Sequence, residues 1–262
     1  MNANPEPYIV YETPSFLIVY KPHGLHTAPL KLEESDNLLA WCAVLRPELL
    51  RVKGLKTIEH GLLHRLDGET DGLVLLAKTQ KAFDAIISSQ QQGHFIKEYV
   101  AVCEPAVQEL PGFPFPPRSV VLPLNLPFMV ESGFRAFGPG RQAVRPIDMK
   151  TPRTSGKECA LDQGIPYKTE ILEASQLEAA SQQTRFRVRL FRGFRHQVRC
   201  HLAWLGYPII GDTLYGSAVE GVLGLSAVVV VFPEPETGKL LRFSLDGIIS
   251  GKDRPESDRA DP

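Results

Sequence analysis

The sequence predicts an α+β fold with a mixed, mainly antiparallel central sheet. Short apolar runs between turn residues are typical of buried strands, and they mix irregularly with stretches of helical periodicity. Residues 185–192 alternate arginine with mostly apolar side chains, which predicts a strand with one buried face. Residues 227–232 are continuously apolar and predict a strand buried on both faces. Because there is no regular strand–helix–strand repeat, α+β is favoured over α/β.

The elements follow from local patterns along the chain. Asp36 is the expected cap of a first helix that ends at Leu45, before Pro47. Apolar side chains at helical spacing predict a second helix after Lys78, closed by Gly93, and a third covers about 195–205. The predicted strands cover 8–11, 16–20, a short run at 62–63, 73–77, 95–102, 167–173, 185–192, 227–232 and 240–245.

We expect one domain over residues 1–250 of the 262-residue chain. Residues 103–166 are rich in proline and glycine, and we interpret them as an insertion of loops and short edge strands. Residues 251–262 are strongly charged and predict a disordered tail. No apolar run is long enough to cross a bilayer, and the first residues do not resemble a signal peptide. Cys42, Cys103, Cys159 and Cys200 are far apart in the sequence, so reduced thiols and a cytoplasmic location are expected.

Residues 64–78 combine two glycines and three carboxylates with apolar runs on both sides. This pattern predicts a loop between two buried strands that presents Asp67 beside Arg65. A carboxylate next to a cation on a rigid loop suits acid–base or nucleophilic chemistry. An ordinary salt-bridged hairpin has the same pattern, and the local residues alone favour the hairpin.

The C-terminal half contains an unusual concentration of positive charge. Residues 179–210 include no aspartate or glutamate, although the net charge of the whole chain is −1. The arginines in this segment are Arg185, Arg187, Arg189, Arg192, Arg195 and Arg199. Such a cluster is typical of a phosphate-rich partner, but a strand face paired with acidic residues elsewhere would look the same. The spacing of the histidines does not favour a metal site, and no G-x-G-x-x-G or G-K-[ST] loop is present.

Four ordered motifs resemble one known family. Residues 64–73 read H-R-L-D-G-E-T-D-G-L and resemble the H-R-L-D-x-x-T-S-G-L signature of RluA-type pseudouridine synthases. Residues 97–101, K-E-Y-V-A, are similar to the family's K-x-Y-x-A strand. Residues 193–202 and 205–216 resemble its G-R-T-H-Q-I-R-x-H-L and L-G-H-P-I-x-G-D-x-x-Y-G stretches. Residues 19–25 resemble its V-x-N-K-P-x-G-L motif.

The resemblance implies a pseudouridine synthase fold with a catalytic cleft, and isomerisation of uridines in ribosomal or transfer RNA. It implies no metal or organic cofactor, and we expect a monomer without an N-terminal S4-like module. By resemblance, Asp67 is the catalytic aspartate, Tyr99 contacts the base and Arg199 faces Asp67. The residues expected to bind RNA are His64, Arg65, Arg187, Arg189, Arg192, Arg195, His196 and Gln197.

The chain departs from the family pattern at positions close to the expected site. Asp71 replaces the serine of T-S-G and adds a negative charge, while Phe194 replaces the arginine of G-R-T and is followed by Arg195. Two other functions remain open from the sequence. One is a non-catalytic RNA-binding protein on the same fold, and the other is a hydrolase that uses Asp67 on a small nucleoside.

Overall fold

The computed structural model describes residues 6–31, 34–107, 110, 113–114, 125–147, 164–178 and 182–245. Its helices are α1 (Leu38–Leu45), α2 (Gln80–Gln91) and α3 (Gln197–Trp204). Its strands are β1 (Tyr8–Glu12), β2 (Phe16–Lys21), β3 (Asp71–Ala77), β4 (Ile96–Cys103), β5 (Phe128–Phe137), β6 (Ala143–Ile147), β7 (Tyr167–Gln176), β8 (Thr184–Leu190), β9 (Leu225–Pro233) and β10 (Leu240–Ser244).

The strands form one sheet in the order β1-β2-β3-β9-β4-β8-β7-β5-β6, and β10 pairs with β9. Strands β3 and β9 run parallel, whereas the other neighbouring pairs are antiparallel. The predicted fold class, a mixed and mainly antiparallel sheet with helices, is therefore confirmed. The central strands β4 and β9 lie deep in the sheet, so side chains on them have fixed positions.

Apolar side chains cover both faces of the sheet. On one face Val74, Tyr99 and Val188 pack with Leu202 of helix α3. On the other face Leu73 and Leu75 pack with Phe83 and Ile86 of helix α2. The alternation along β3 places successive leucine and valine side chains on opposite faces, as the two-residue period of a strand requires.

Two strand predictions based on periodicity are confirmed. In β8 the apolar residues Phe186, Val188 and Leu190 are buried, and the arginines between them are on the other face. Strand β9 is buried along nearly its whole length, as its continuous apolar sequence predicts. Gly93 follows α2 with φ +79°, the left-handed conformation expected of a residue that closes a helix.

Three local predictions are wrong. Leu62 forms a single antiparallel bridge with Leu76 instead of a strand, because the turn at residues 60 and 61 leaves only a short stretch beside β3. Asn37, and not Asp36, caps α1, and its side chain accepts a hydrogen bond from the Ala40 amide. Helix α3 begins at Gln197 instead of Arg195, because His196 has a left-handed backbone with φ +56°.

The segment 103–166 contributes more to the sheet than expected. Strand β6 is a short edge strand, but β5 has ten residues and pairs with both β6 and β7. Residues 148–163 of this segment and the expected tail at 251–262 lie outside the described residues. The single-domain division over 1–250 stays a prediction.

Cys42, Cys103 and Cys200 are free and buried, while Cys159 lies outside the described residues. Within the described ranges, none of the helices has both the length and the apolar character needed to cross a membrane.

Candidate functional site

A cleft of about 1340 Å³ opens on the face of the sheet that carries Tyr99. Its walls are the loop before β3, strand β4, the loop before α3 and the first turn of α3. Asp67 lies in the first of these loops and Arg199 in the helix. Segments that are far apart in the sequence therefore meet in one groove.

Backbone and side-chain hydrogen bonds fix the loop that carries Asp67. The Thr27 hydroxyl donates to the Leu66 carbonyl at 2.7 Å and accepts from the Leu66 amide at 3.1 Å. The Gly68 carbonyl accepts from the Gly24 amide at 2.8 Å and from the Lys21 ammonium at 3.1 Å. Lys21 is fully buried, and this burial lowers its pKa to about 8 against the opposing charges of Asp71 and Asp67. Asp67 thus stands on a rigid loop, which a positioned catalytic group needs.

Arg199 faces Asp67 from the opposite wall, with 3.5 Å between its Nη1 and Asp67 Oδ2. Its Nε and Nη2 donate to the two carboxylate oxygens of Asp212 at 2.7 and 2.8 Å, a bidentate pair that fixes the guanidinium plane. Glu69 accepts from Nη1 at 3.2 Å. Burial disfavours the Arg199 charge, but the hydrogen bonds and charge of Asp212, with Asp67 and Glu69, raise the arginine pKa above its ordinary value. A permanent positive charge therefore faces the Asp67 carboxylate.

His196 is the second group of the helix wall near Asp67. Its Nε2 lies 3.7 Å from Asp67 Oδ2, and its Nδ1 lies 3.1 Å from the Tyr215 hydroxyl. That hydroxyl oxygen also accepts from the Val144 amide at 2.8 Å, so it is free to donate its own proton to Nδ1. Burial lowers the His196 pKa, although the charge of Asp67 opposes this shift. The left-handed backbone of His196, which is uncommon outside glycine and asparagine, turns the chain so that the ring reaches the cleft.

Tyr99 projects into the cleft from the central strand β4 and is almost completely buried. Burial raises its pKa, and the charge of Asp67 raises it further. The phenol is therefore neutral near pH 7. The structure brings Asp67, Tyr99 and Arg199 into one cleft, as expected from the sequence.

Two predicted neighbours of Asp67 have other partners. Arg65 pairs with Glu59 at 3.0 Å, so the expected Asp67–Arg65 pair is not formed. Asp71 accepts hydrogen bonds from the Tyr20 hydroxyl at 3.0 Å and from the Ser226 hydroxyl at 2.7 Å. Its extra negative charge is thus held by two hydroxyl groups at the start of β3.

Arg187 and Arg189 lie on the opposite face of the sheet from the cleft. They pair across the strands with Val100 and Glu98, whereas Val188 pairs with Tyr99. Both guanidinium groups bind the buried Glu98 carboxylate, at 3.0 and 2.9 Å, and Arg189 also reaches Glu170. These ion pairs match the alternative interpretation of the strand arginines, and an RNA-binding role for them stays a prediction.

The other residues predicted to bind RNA line the cleft, but their side chains differ in exposure and in the hydrogen-bond partners they already have. Arg192 donates to the Gln91 carbonyl, and Arg195 donates to the Arg141 carbonyl at 2.8 Å; both arginines are partly or largely exposed. Gln197 is buried, and its amide nitrogen donates to the Lys168 carbonyl and the Thr169 hydroxyl. These two hydrogen bonds tie the start of α3 to strand β7.

His64 accepts the Leu75 amide at 3.1 Å through Nε2. Burial, with a smaller contribution from Lys97, lowers its pKa to about 3, so the ring is neutral. Phe194, in place of the family arginine, stacks on Phe134 with ring centroids 5.0 Å apart and an angle of 4°. An apolar wall therefore stands where the family pattern has a cation.

Four residues at or beside the site were not singled out from the sequence: Asp212, Tyr215, Lys21 and Lys97. All four lie within the motifs at 205–216, 19–25 and 97–101, so the motifs themselves were the available signal. Within the described ranges, no group of three histidine, cysteine or acidic side chains is arranged to hold a metal ion.

The fold and the cleft define a class of protein that presents one carboxylate, faced by a buried arginine, within a basic groove on a mixed sheet. The sequence pattern of one family, described as RNA pseudouridylate synthase, matches residues 15–204. The chain therefore belongs to the RNA pseudouridylate synthase family, and the resemblance inferred from its motifs is confirmed.

Individual relatives agree with this assignment. The chain is 25% identical over 252 residues to ribosomal large subunit pseudouridine synthase D of Vibrio cholerae, covering 90% of this chain and 65% of the relative. It is 27% identical over 209 residues to the protein of the same name from Pseudomonas aeruginosa, covering 79% and 53%. The chain thus spans about half to two thirds of the length of these relatives.

A solved structure shares the fold. Human RNA Pseudouridylate Synthase Domain Containing 1 superposes with a TM-score of 0.62, covering 91% of this chain and 82% of that one, at 18% identity.

Proposed function

We propose that this protein is an RNA pseudouridine synthase that isomerises specific uridines in structured ribosomal or transfer RNA. The observation that carries the proposal is the position of Asp67, whose carboxylate faces the buried Arg199 at 3.5 Å in an open cleft. The family and the names of the relatives, which refer to the large ribosomal subunit, support this choice of reaction and substrate.

The charge of the cleft supports an RNA substrate. Among the described residues, six cations and three carboxylates line it: the cations are Lys56, Arg65, Lys97, Arg192, Arg195 and Arg199, and the carboxylates are Glu59, Asp67 and Glu69. The whole chain has a net charge of −1, so positive charge is concentrated in the groove. Contacts of this kind with phosphates supply most of the affinity of proteins for nucleic acids.

In the proposed reaction the bond between uracil N1 and ribose C1′ breaks, the uracil turns, and its C5 bonds to C1′. The proton on C5 is lost and N1 gains one, so the product is an isomer of the substrate. Asp67 acts either as a nucleophile on the ribose or as a base that takes a ribose proton, and both roles need an ionised carboxylate. Arg199 holds a positive charge beside that carboxylate. Tyr99 is a neutral phenol in the free protein, which suits a hydrogen-bond donor to the uracil.

The target uridine has to leave its stack to reach Asp67 at the bottom of the cleft. Flipping a base costs a few kcal/mol, which phosphate contacts can offset. Arg192 and Arg195, on the loop before α3, are placed at the cleft wall for such contacts.

The Asp67→Asn substitution tests the proposal, with Asp71→Asn as the matched control. Both variants remove one carboxylate near the start of β3, but the Asp71 carboxylate is bound by Tyr20 and Ser226 instead of facing Arg199. We expect D67N to bind RNA and lose all conversion, while D71N converts uridine. The measurement is chemical mapping of pseudouridine after incubation with total cellular RNA.

The other outcomes separate the remaining functions. Conversion by D67N would refute the role of Asp67. Wild-type protein that binds RNA without converting it would favour the non-catalytic RNA-binding alternative, and cleavage of free nucleosides would favour the hydrolase. We further propose that the protein acts as a monomer in the cytoplasm and needs no metal or organic cofactor. Undiminished conversion in the presence of a chelator is the expected result.

A further inference from the structure

Lys97 lies on strand β4 in the cleft wall, and its ammonium group has no acidic partner among the described residues. Other cations of the cleft do have such partners, since Arg65 pairs with Glu59 and Arg199 with Asp212. Within the part of the chain that the structure describes, the Lys97 Nζ makes no hydrogen bond and no ion pair. It lies over the ring of Phe95, 5.7 Å from the centroid.

The electrostatics of the half-buried Lys97 differ from those of the fully buried Lys21. Burial lowers the Lys97 pKa to about 8, and no carboxylate opposes the shift. At Lys21 the same effect of burial is opposed by Asp71 and Asp67, and three carbonyl oxygens accept from the ammonium. The Lys97 side chain is half-buried and lines the cleft, so its unpartnered ammonium is open to an anionic ligand bound there.

A second unsatisfied group lies against the same phenylalanine. The His64 ring is 5.4 Å from that of Phe95, and its Nε2 accepts from the Leu75 amide. The proton of the neutral ring is therefore on Nδ1, which is buried and has no hydrogen-bond partner. Lys97 lowers the pKa of His64, so the two groups are within electrostatic range of each other. This end of the cleft has two donors and lacks an acceptor.

The loop before α3 leaves space for the ammonium group. A Cβ atom on Gly193 would lie 3.0 Å from the Lys97 Nζ, closer than a side chain normally approaches. Glycine at this position therefore lets the ammonium rest against the loop backbone. A larger residue there would push the charge away from its place.

The distance from Lys97 to the proposed catalytic residues suits a neighbouring nucleotide. Lys97 and Tyr99 are two residues apart and on the same face of β4, which places them about 7 Å apart along the strand. The base that contacts Tyr99 is joined to ribose and phosphates that extend along the cleft. A phosphate next to the target uridine can reach the ammonium.

We propose that Lys97, against Phe95, His64 and Gly193, forms an anion subsite that binds one phosphodiester adjacent to the target uridine. This inference rests on the proposed function for the identity of the ligand, an RNA phosphate. The subsite fixes the register of the strand, so that one nucleotide faces Asp67 when the neighbouring phosphate is bound at Lys97.

The first test is the salt dependence of RNA binding for K97M, K97R and the control K239M. Lys239 lies in the turn between β9 and β10, outside the cleft. For total ribosomal RNA and for a stem–loop around a converted uridine, K97M should bind several-fold more weakly, with a slope of log Kd against log salt lower by about 0.7 to 1. K97R and K239M should keep the wild-type slope. An unchanged slope for K97M would overturn the subsite.

The second test locates the phosphate. A single neutral methylphosphonate in the stem–loop should weaken wild-type binding at one position next to the uridine and have no further effect on K97M. If every methylphosphonate weakens both proteins equally, the subsite is refuted. G193A keeps the ammonium charge but displaces it, so it should lower RNA affinity in the same way as K97M, by a smaller factor. RNA binding equal to wild type would contradict the geometry.

A failure of the Lys97 subsite can be told apart from a failure of the proposed reaction. A wild-type protein that converts uridine while K97M binds normally rejects only the subsite. A wild-type protein that binds ribosomal RNA without converting it rejects the isomerase, and its salt slope still tests Lys97. Competition by inorganic phosphate alone, without an effect of any methylphosphonate, would show a free-anion site and refute recognition of the strand.

Discussion

Three carboxylates surround Arg199, and two of them, the buried Asp212 and the exposed Glu69, differ enough that comparing their removal tests how the cleft is stabilised. Asp212 is fully buried and receives two hydrogen bonds from the guanidinium, at 2.7 and 2.8 Å. Its Oδ1 also accepts from the amides of Leu214 and Tyr215, both at 3.2 Å. Glu69 binds Arg199 Nη1 at 3.2 Å, but its side chain is 61% exposed. Asp212→Asn and Glu69→Gln each replace one carboxylate by an amide of the same shape.

D212N should lower the free energy of unfolding by about 3 to 5 kcal/mol, the usual cost of leaving one member of a buried ion pair without its partner. The asparagine NH₂ group would face the Arg199 donors, so one of the two hydrogen bonds is lost as well as the charge. E69Q should cost less than about 1 kcal/mol, because water screens an exposed pair. Since Asp212 fixes the guanidinium plane, D212N should also lower the rate of conversion at saturating RNA, and E69Q should leave that rate nearly unchanged.

Urea unfolding followed by circular dichroism measures the stability difference, and pseudouridine formation under saturating RNA measures the rate. R199M and the double variant R199M/D212N complete a double-mutant cycle. The double variant should be more stable than D212N alone, because the buried arginine charge is removed with its partner. Equal costs for D212N and E69Q, or a cost below about 1 kcal/mol for D212N, would refute the reasoning.

Two further predictions concern a catalytic hydroxyl and the effect of pH. Tyr99→Phe should slow conversion roughly tenfold to a hundredfold without weakening RNA binding, because one hydrogen bond to the base is lost; a wild-type rate in single-turnover kinetics would contradict this. Burial lowers the pKa of His201 to about 3, so below pH 6.5 the unfolded chain takes up a proton that the native state does not. Between pH 6.5 and 3, this proton uptake should lower the free energy of unfolding by about 1.4 kcal/mol for each unit that the pH falls. Urea titrations at several pH values should show that the free energy of unfolding declines less steeply with falling pH for H201Q than for wild type. An identical decline in the two proteins would refute the role of His201.

Periodicity predicted the faces of the strands but not their partners. The alternation in β8 correctly buried Phe186, Val188 and Leu190, since any one-sided strand must show that period. It could not show that Arg187 and Arg189 meet Glu98, because that residue comes from a different strand about 90 positions away. Charge density in a sequence window does not distinguish an RNA-binding face from an ion-paired one.

Local signals also failed where two answers were almost equal in energy. Asp36 and Asn37 are adjacent and cap helices almost equally well, so the choice depended on how the chain enters α1. The run at Leu62 and Leu63 is buried as a strand would be, yet it follows a turn and forms only one bridge to β3, so burial alone does not define a strand. Strand β5 was missed because prolines and glycines around it suggest loops, although its partners β6 and β7 extend the sheet.

The proposed catalytic cluster was predictable only through the motifs. Asp67 and Arg199 are 132 positions apart, and no local pattern joins them. The ordered motifs did join them, and the structure brings the two side chains within 3.5 Å. Asp212 lies in the same motif set, but a role as a buried partner of Arg199 is visible only once helix α3 and the following loop are placed together.

The distribution of charge explains how a nearly neutral chain can bind RNA in one place. The sequence contains 29 lysines and arginines and 30 acidic residues. Among the described residues, six cations and three acids line the cleft, a local excess of positive charge in a chain whose net charge is −1. Under the proposed function, this local positive charge attracts the RNA polyanion to the cleft that contains Asp67. On the opposite face, Arg187 and Arg189 of β8 pair with Glu98, and Arg189 also pairs with Glu170, so part of their charge is compensated there.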